Sequence, residues 1–331
     1  MNLDQVFKLF CPYQLNWLRE TAPLAMGEKS RRIGWTWTQA CGVTLMLAGQ
    51  PVDRPLSYWH SSADMTASAE FIRDAADWAS MVNAVAVTSG VPEVIDEDSG
   101  VSAFVLRFAN GSKAVAGSSN PKFFRSKGGA AGLDEFAFHR DGRELYKAAH
   151  ATAMFWGYPL RIWSTHNGPG SYFNQLLTDA RGGRLKASVH KVTVLDAVEQ
   201  GIVERIDMRR LKLADPPAPD ARRRQEWLDE LRSTCPDEDT WNEEYMCVPS
   251  SDQSSLLSYD LIQGCETDNL QLWTGERVMP VGGRLYAGFD VGRKRDLSVL
   301  WVLEKVGDVF WTRMIRTFDR VNFTAQELSL I

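Results

Sequence analysis

At 331 residues, 44% hydrophobic and 24% charged, the chain has room for one large domain or two smaller ones and enough apolar material for a sizeable core. Its net charge of −5 excludes a global basic field, so contact with nucleic acid has to run through local patches or through partners. The five cysteines (Cys11, Cys41, Cys235, Cys247, Cys265) are odd in number and include no CxxC pair, which excludes a disulfide framework or zinc site and points to reduced thiols in a cytosolic protein.

In chain order, the first residues, MNLDQVFKLF, lack a charged segment followed by a long apolar one. No later run approaches the roughly 18 apolar residues of a membrane span, so a soluble intracellular protein is expected. From Gly34 a helix runs through Thr36, Cys41, Thr44, Met46 and Leu47. Phe71, Ala75, Trp78 and Val82 carry the spacing of a second helix. Ser102 to Phe108 reads as a strand, joined through Asn110-Gly111 to another over Ser112 to Ala116. Leu160 to Thr165 (LRIWST) is a further strand, ending in the polar turn HNGPG. This alternation predicts an α/β domain with a largely parallel sheet. A Pro-rich, charged stretch at 214–224 leads into a helix around Glu226 to Arg232, and residues 264–283, with Pro280, Gly282 and Gly283, read as a linker. From Arg284 the pattern is β alone: Leu285–Asp290, Leu297–Leu303 and Val309–Ile315. The expected domains are therefore 1–262, a linker at 263–283, and 284–331. Twelve tryptophans have no reading at this level.

Lys29-Ser30-Arg31-Arg32-Ile33-Gly34-Trp35-Thr36 opens the first helix. Such a loop can hold phosphate, because successive backbone N–H groups and the positive helix end converge on the anion. The usual signature is GxxxxGK[ST]. Here Trp35 stands in the lysine position, while Gly34 and Thr36 hold the other two. A strand ending in two acids should follow, the first holding Mg²⁺ and the second polarising the attacking water. Leu133-Asp134-Glu135 fits, with Asp134 on the metal and Glu135 as base, although the preceding Gly128 to Gly132 makes a poor apolar strand.

The ordered set of motifs resembles the large subunit of tailed-phage terminases, especially those of Mu-like phages. The shifted loop, with its lysine at the start and KSxRxGxS/T spacing, resembles the terminase variant. That resemblance implies Lys29 as the phosphate lysine and Thr36 as a Mg²⁺ ligand, with Arg31 the competing candidate for the cation and Ser30, Arg32, Gly34 and Trp35 completing the ATP-binding loop. Ser118-Ser119-Asn120-Pro121 … Arg125 … Asp134-Glu135-Phe136-Ala137-Phe138-His139 resembles the region around the paired acids, and Arg125 is a candidate for the cation that neutralises the γ-phosphate. Trp163 to Gly168 resembles the coupling motif, with Ser164 and Thr165 as γ-phosphate sensors. Pro12-Tyr13-Gln14 resembles the adenine-recognition segment, and Trp241 to Tyr245 the segment that closes the ATPase domain. Tyr286 to Gly292 and Asp296 to Leu300 resemble the first hairpin of an RNase H-like nuclease, with Asp290 and Asp296 as ligands for Mg²⁺ or Mn²⁺ if the site is completed.

The resemblance implies a P-loop ATPase of the ASCE type followed by a partial RNase H-like β-meander. The expected function is an ATP-driven, Mg²⁺-dependent motor that moves double-stranded DNA into a procapsid. Its expected partners are the portal protein, the small terminase subunit and further copies of itself in a ring, in the host bacterial cytoplasm. The nuclease segment is expected to be incomplete and not to cleave DNA; Glu327 has no tie to that site. Two alternatives stand beside this reading: a helicase-like ATPase, and an inactive prophage remnant that binds nucleotide or DNA without turnover.

Overall fold

The computed structural model describes residues 3–96 and 100–250, and beyond them 261, 264–267, 270, 272–273, 280, 282–292, 297–319, 321 and 326. The chain divides into two units, Met1–Tyr259 and Asp260–Ile331.

The first unit is built on strands β1 (Leu24–Lys29), β2 (Ser57–Ser61), β3 (Ala86–Thr88), β4 (Glu93–Asp96), β5 (Val101–Phe108), β6 (Lys113–Gly117), β7 (Ala130–Asp134), β8 (Leu160–Ser164) and β9 (Ser188–Val192). They form one sheet in the order β3-β5-β6-β2-β7-β8-β1-β9, with β4 added beside β5. The six strands from β6 to β9 in this order are parallel, while β5 runs antiparallel to β6, β3 and β4. This is the α/β architecture that the alternation of elements predicts, extended at one edge by an antiparallel hairpin. Its turn is fixed by Asn110, whose side-chain amide donates to Leu47 O at 2.8 Å while its Oδ1 accepts the Ser112 N–H at 3.0 Å.

Helices cover the sheet: α1 (Leu3–Phe7), α2 (Pro12–Leu18), α3 (Trp35–Ala48), α4 (Met65–Met81), α5 (Gly142–Met154), α6 (Tyr172–Arg181), α7 (Val194–Glu199), α8 (Ile202–Leu211), α9 (Ala221–Ser233) and α10 (Glu238–Glu244). Helix α4 starts where the Asp64 carboxylate accepts the Ala67 N–H and turns Phe71, Ala75 and Trp78 into the core. Val82 caps its C-terminus. The helix expected around Glu226 is α9, and the linker stretch is described at scattered positions only. Among the described residues no helix is long and apolar enough to cross a membrane.

Strands β1, β7 and β8 are buried at every position, so they read as uniform runs rather than alternating ones. Strand β7 is made of small residues for a steric reason. A Cβ on Gly132 would fall 1.9 Å from the Tyr58 hydroxyl, and one on Gly129 would fall 2.1 Å from the Ser57 carbonyl oxygen of the neighbouring strand. The apparently poor strand is therefore a closely packed one.

The second unit is a separate antiparallel sheet of β10 (Arg284–Asp290), β11 (Ser298–Val306) and β12 (Val309–Phe318), in that order.

Candidate active site

Strand β1 ends at Lys29, and the loop from Ser30 to Gly34 carries the chain into α3. Gly34 has φ +75°, and Arg32 is also left-handed at 60°, so the loop curls and presents its N–H groups at the start of α3. Five contacts fasten this curl. Tyr13 Oη donates to Ile33 O at 2.6 Å, and Gln14 Nε2 donates to Ile33 O and Gly34 O, both at 3.3 Å. Ser30 N–H donates to Val192 O at 2.8 Å, and Arg31 N–H to Glu244 O at 2.7 Å.

The residue standing where a P-loop lysine would be, Trp35, points inward. It is buried, lies 5.0 Å from the Trp17 ring and 6.3 Å from Tyr13, and fills the space over Gly27, where a Cβ would meet it at 2.6 Å. Trp163 joins the same cluster and donates its indole N–H to Thr36 Oγ1 at 3.2 Å. Several of the tryptophans thus form the underside of the loop.

A cavity of about 630 Å³ opens above it, lined by Lys29, Arg31, Arg32, Gly34, Trp35 and Thr36 from the loop side. Asp134, Glu135 and Thr165 line it from the strand ends, and Asp64, Glu70 and Asp74 from the α4 side. The Thr36 hydroxyl donates to Asp134 Oδ2 at 3.0 Å, and Lys29 Nζ pairs with Glu135 Oε1 at 2.7 Å. The Thr165 N–H reaches the other oxygen of Glu135 at 3.4 Å, with Ser164 Oγ at 3.5 Å. Ten of the residues singled out in the sequence, Lys29, Arg31, Arg32, Gly34, Trp35, Thr36, Asp134, Glu135, Ser164 and Thr165, therefore lie together.

Others do not. Tyr13 and Gln14 are buried, their polar groups are committed to the loop backbone, and neither lines the cavity. Sequence alone could not reveal that these groups bond the loop backbone. Ser30 is buried and outside the lining. Arg31, which does line the cavity, is half exposed and pairs with Glu244 at 2.8 Å. Arg125 is exposed on the segment after β6 and lies outside the cavity lining. In the second unit Asp290 is exposed at the end of β10, while Asp296 and Glu327 lie outside the described residues.

Two histidines that carried no role in the sequence border the paired acids. His60, fully buried on β2, stacks on Phe71 at 3.7 Å and places Nε2 3.9 Å from Asp134 Oδ2; burial lowers its pKa to about 3 and keeps it neutral. His139 bonds the Asp134 carbonyl at 2.8 Å and the Ser119 hydroxyl at 2.6 Å. Burial lowers its pKa as well. Beneath the loop, buried Glu28 accepts from His166 at 2.8 Å and pairs with Arg181 of α6. No spacing in the sequence marks the His60 and Glu28 contacts, because they join elements distant in the chain.

Burial, and then the neighbouring Glu135 charge, raise the Asp134 pKa from 3.8 to about 7. Burial acts to raise Glu135 too, but the charge and hydrogen bond of Lys29 outweigh it and hold Glu135 ionised, below its ordinary value. Asp134 Oδ1 has no partner among the described residues. With Thr36 alongside, this oxygen donor set suits Mg²⁺, which takes one or two protein oxygens and completes its shell with water and phosphate. Among the described residues no group of three or more His, Cys, Asp or Glu could hold a metal unaided.

A pH dependence follows. A carboxyl whose pKa is raised in the fold holds its proton more tightly there than in the unfolded chain. It therefore favours the fold at low pH, and that contribution is lost as pH rises through the folded value. The melting temperature of the nucleotide-free parent, relative to Asp134→Asn, is expected to fall between about pH 4 and 7 and to level off above. A difference that stays flat across this range would contradict the burial of an unmatched carboxylate.

Comparison with known proteins gives a consistent set. A family model described as "Terminase large subunit, T4likevirus-type, N-terminal" matches residues 26–264. The chain is 35% identical over 260 residues to "Mu-like prophage FluMu protein gp28" of Haemophilus influenzae, covering 78% of this chain and 50% of that protein. It is 35% identical over 266 residues to "Probable terminase, large subunit gp28" of Escherichia phage Mu, covering 78% and 47%. The chain thus spans about half the length of the curated relatives it matches. Among solved structures, the large terminase of a thermophilic bacteriophage in complex with ADP matches with TM-score 0.50 at 11% identity, covering 97% of this chain and 73% of that one. The ATPase domain of the Thermus phage P74-26 large terminase matches with TM-score 0.50 at 17% identity, covering 75% and 98%. The HK97 bacteriophage large terminase matches with TM-score 0.51 at 14% identity, covering 93% and 63%. At these identities the structural matches speak for the fold.

Proposed function

The chain belongs to the terminase large subunit family, and from that premise we propose that it is the ATP-hydrolysing motor subunit that moves double-stranded viral DNA into a procapsid. The observation that carries this reading is the meeting of Lys29, Thr36, Asp134, Glu135 and Thr165 around one cavity at the N-terminus of α3.

ATP enters with its phosphates against the loop N–H groups and the start of α3. Lys29, supplied by the end of β1 rather than by the helix, turns from Glu135 to the β- and γ-phosphates. Its burial at 4% exposure, beside Glu135, favours it over Arg31, which is 53% exposed and already paired with Glu244. Thr36 and Asp134 hold Mg²⁺, which when bound supplies charge neutralisation at the phosphates. Glu135, freed of Lys29, orients and polarises the attacking water. Thr165 and Ser164, at the end of the adjacent strand, hold that carboxylate and register the γ-phosphate.

Arg125 supplies the additional cation. Its exposure on the segment before β7 suits delivery to a neighbouring copy in a ring. Arg125→Ala is expected to lower turnover by about 10³-fold or more with nucleotide still bound. Hydrolysis at the parental rate in this variant would sink the assignment. Residues 1–262 form the ATPase, 263–283 the linker and 284–331 the opening of an RNase H-like segment, with Asp290 and Asp296 as candidate metal ligands. The portal protein and small terminase subunit are the other partners, and the host bacterial cytoplasm the place of action.

The test is Mg²⁺-dependent ATP hydrolysis by the purified chain, with and without double-stranded DNA. Turnover stimulated by DNA supports the motor. ATP bound without turnover favours instead a chain that binds nucleotide and does not hydrolyse it.

A further inference from the structure

Glu135 sits at φ 48°, ψ 48°, a left-handed conformation that residues other than glycine keep only when their surroundings hold it. The preceding residue, Asp134, ends β7. His139 closes on its carbonyl, bonding back across the turn at 2.8 Å. A carbonyl oxygen can only accept, so His139 Nε2 carries the hydrogen. In the neutral ring Nδ1 is then bare and accepts the Ser119 hydroxyl at 2.6 Å. His139 is buried, and its bond to the Asp134 carbonyl is shielded from water.

Ser119 belongs to the segment that ends in Arg125. Asn120 caps the turn Pro121–Phe123 by accepting the Lys122 N–H at 2.9 Å, and the Arg125 N–H donates to Lys122 O at 3.2 Å. The Ser119 to His139 bond therefore links this segment to the turn that carries the paired acids.

We propose that Ser119 and His139 are a positioning pair for the ATPase site, holding the Asp134–Glu135 turn in its left-handed form and joining it to the Arg125 segment. Neither side chain reaches the cavity lining, so the pair acts through Glu135. Nucleotide affinity rests on Lys29, Thr36 and the loop N–H groups, which do not touch the pair. Losing the pair lets Glu135 relax, and turnover falls while affinity stays. This inference rests on the ATPase reading above.

The experiment measures kcat, KM and MgATP affinity of the full chain for the parent, Ser119→Ala, Ser119→Thr and His139→Ala, with a thermal melt for each. Ser119→Ala is expected to lower kcat by roughly 10–100-fold with affinity within about threefold, as for other groups that orient a reacting side chain. Ser119→Thr, which keeps the hydroxyl, is expected to restore most of the rate. His139→Ala is the harsher change, and Ser119→Ala keeps the question open to test if it fails to fold. Parental kcat in Ser119→Ala, or kcat and affinity falling together with the melting temperature, overturns the pair and leaves the ATPase reading intact. A parent that neither binds nor hydrolyses MgATP overturns the ATPase reading, and the pair with it.

Discussion

Glu135→Gln is expected to lower ATP turnover by roughly 10²–10⁴-fold, the range for removing a positioned general base. Nucleotide affinity should hold or improve in this variant. Glu135 holds Lys29 at 2.7 Å, so the amide releases the lysine to the phosphates. Lys29→Ala should also stop turnover, but with a different signature. It removes the cation, and MgATP binding weakens by about 10–100-fold. The two variants therefore separate in affinity while converging in rate. Equilibrium binding beside steady-state hydrolysis reads both. Glu135→Gln turning over at the parental rate would remove Glu135 from the mechanism. Lys29→Ala binding like the parent would pass the phosphate role to Arg31.

Gly129→Ala is expected to abolish or nearly abolish folding. Gly129 lies at φ +137°, where an L side chain is strained, and its new Cβ would fall 2.1 Å from a main-chain oxygen, Ser57 O. Backbone cannot swing aside as a flexible side chain can. Strain and overpacking together come to about 3–5 kcal/mol. That is a large share of the roughly 5–15 kcal/mol that holds a domain folded. Gly132→Ala meets the Tyr58 hydroxyl instead, and pairing it with Tyr58→Phe should recover part of the loss. Denaturant midpoints of the soluble variants, or their absence from the soluble fraction, give the answer.

Much of this was legible in the sequence, and the limits have physical causes. Helices α3 and α4 announced themselves through the run of residues after Gly34 and a spaced apolar face, and the β5–β6 hairpin through Asn110-Gly111. Strands β1, β2 and β9 did not, because they are short and lack clean alternation; β1 is buried on both faces. At the site, the acids after β7 and the hydroxyls after β8 stood out because motif spacing follows from strand-to-loop geometry. Tyr13 and Gln14 show where spacing runs out. Residue type says that they can bond, and only the fold says that their partner is the carbonyl of Ile33. His60 beside Asp134 and the pairing of Glu28 with His166 and Arg181 are contacts between strands and helices distant in the chain, invisible to any local pattern.

The phosphate loop is pinned by Glu244, which takes the Arg31 N–H on its carbonyl and the Arg31 guanidinium on its carboxylate, across a sequence separation of 213 residues. Glu243 beside it accepts the Gly168 N–H at 2.6 Å, holding the turn after the sensor strand. Both clasps come from one short helix at the far end of the domain. At ribosomal speeds, Arg31 leaves the tunnel roughly 10–40 s before Glu244 can reach it. During that interval the loop has its strand, its helix and the bonds from Tyr13 and Gln14, but not the clasp at Arg31. The full set of contacts around the loop is thus completed late in synthesis, after the strands of the sheet have been made.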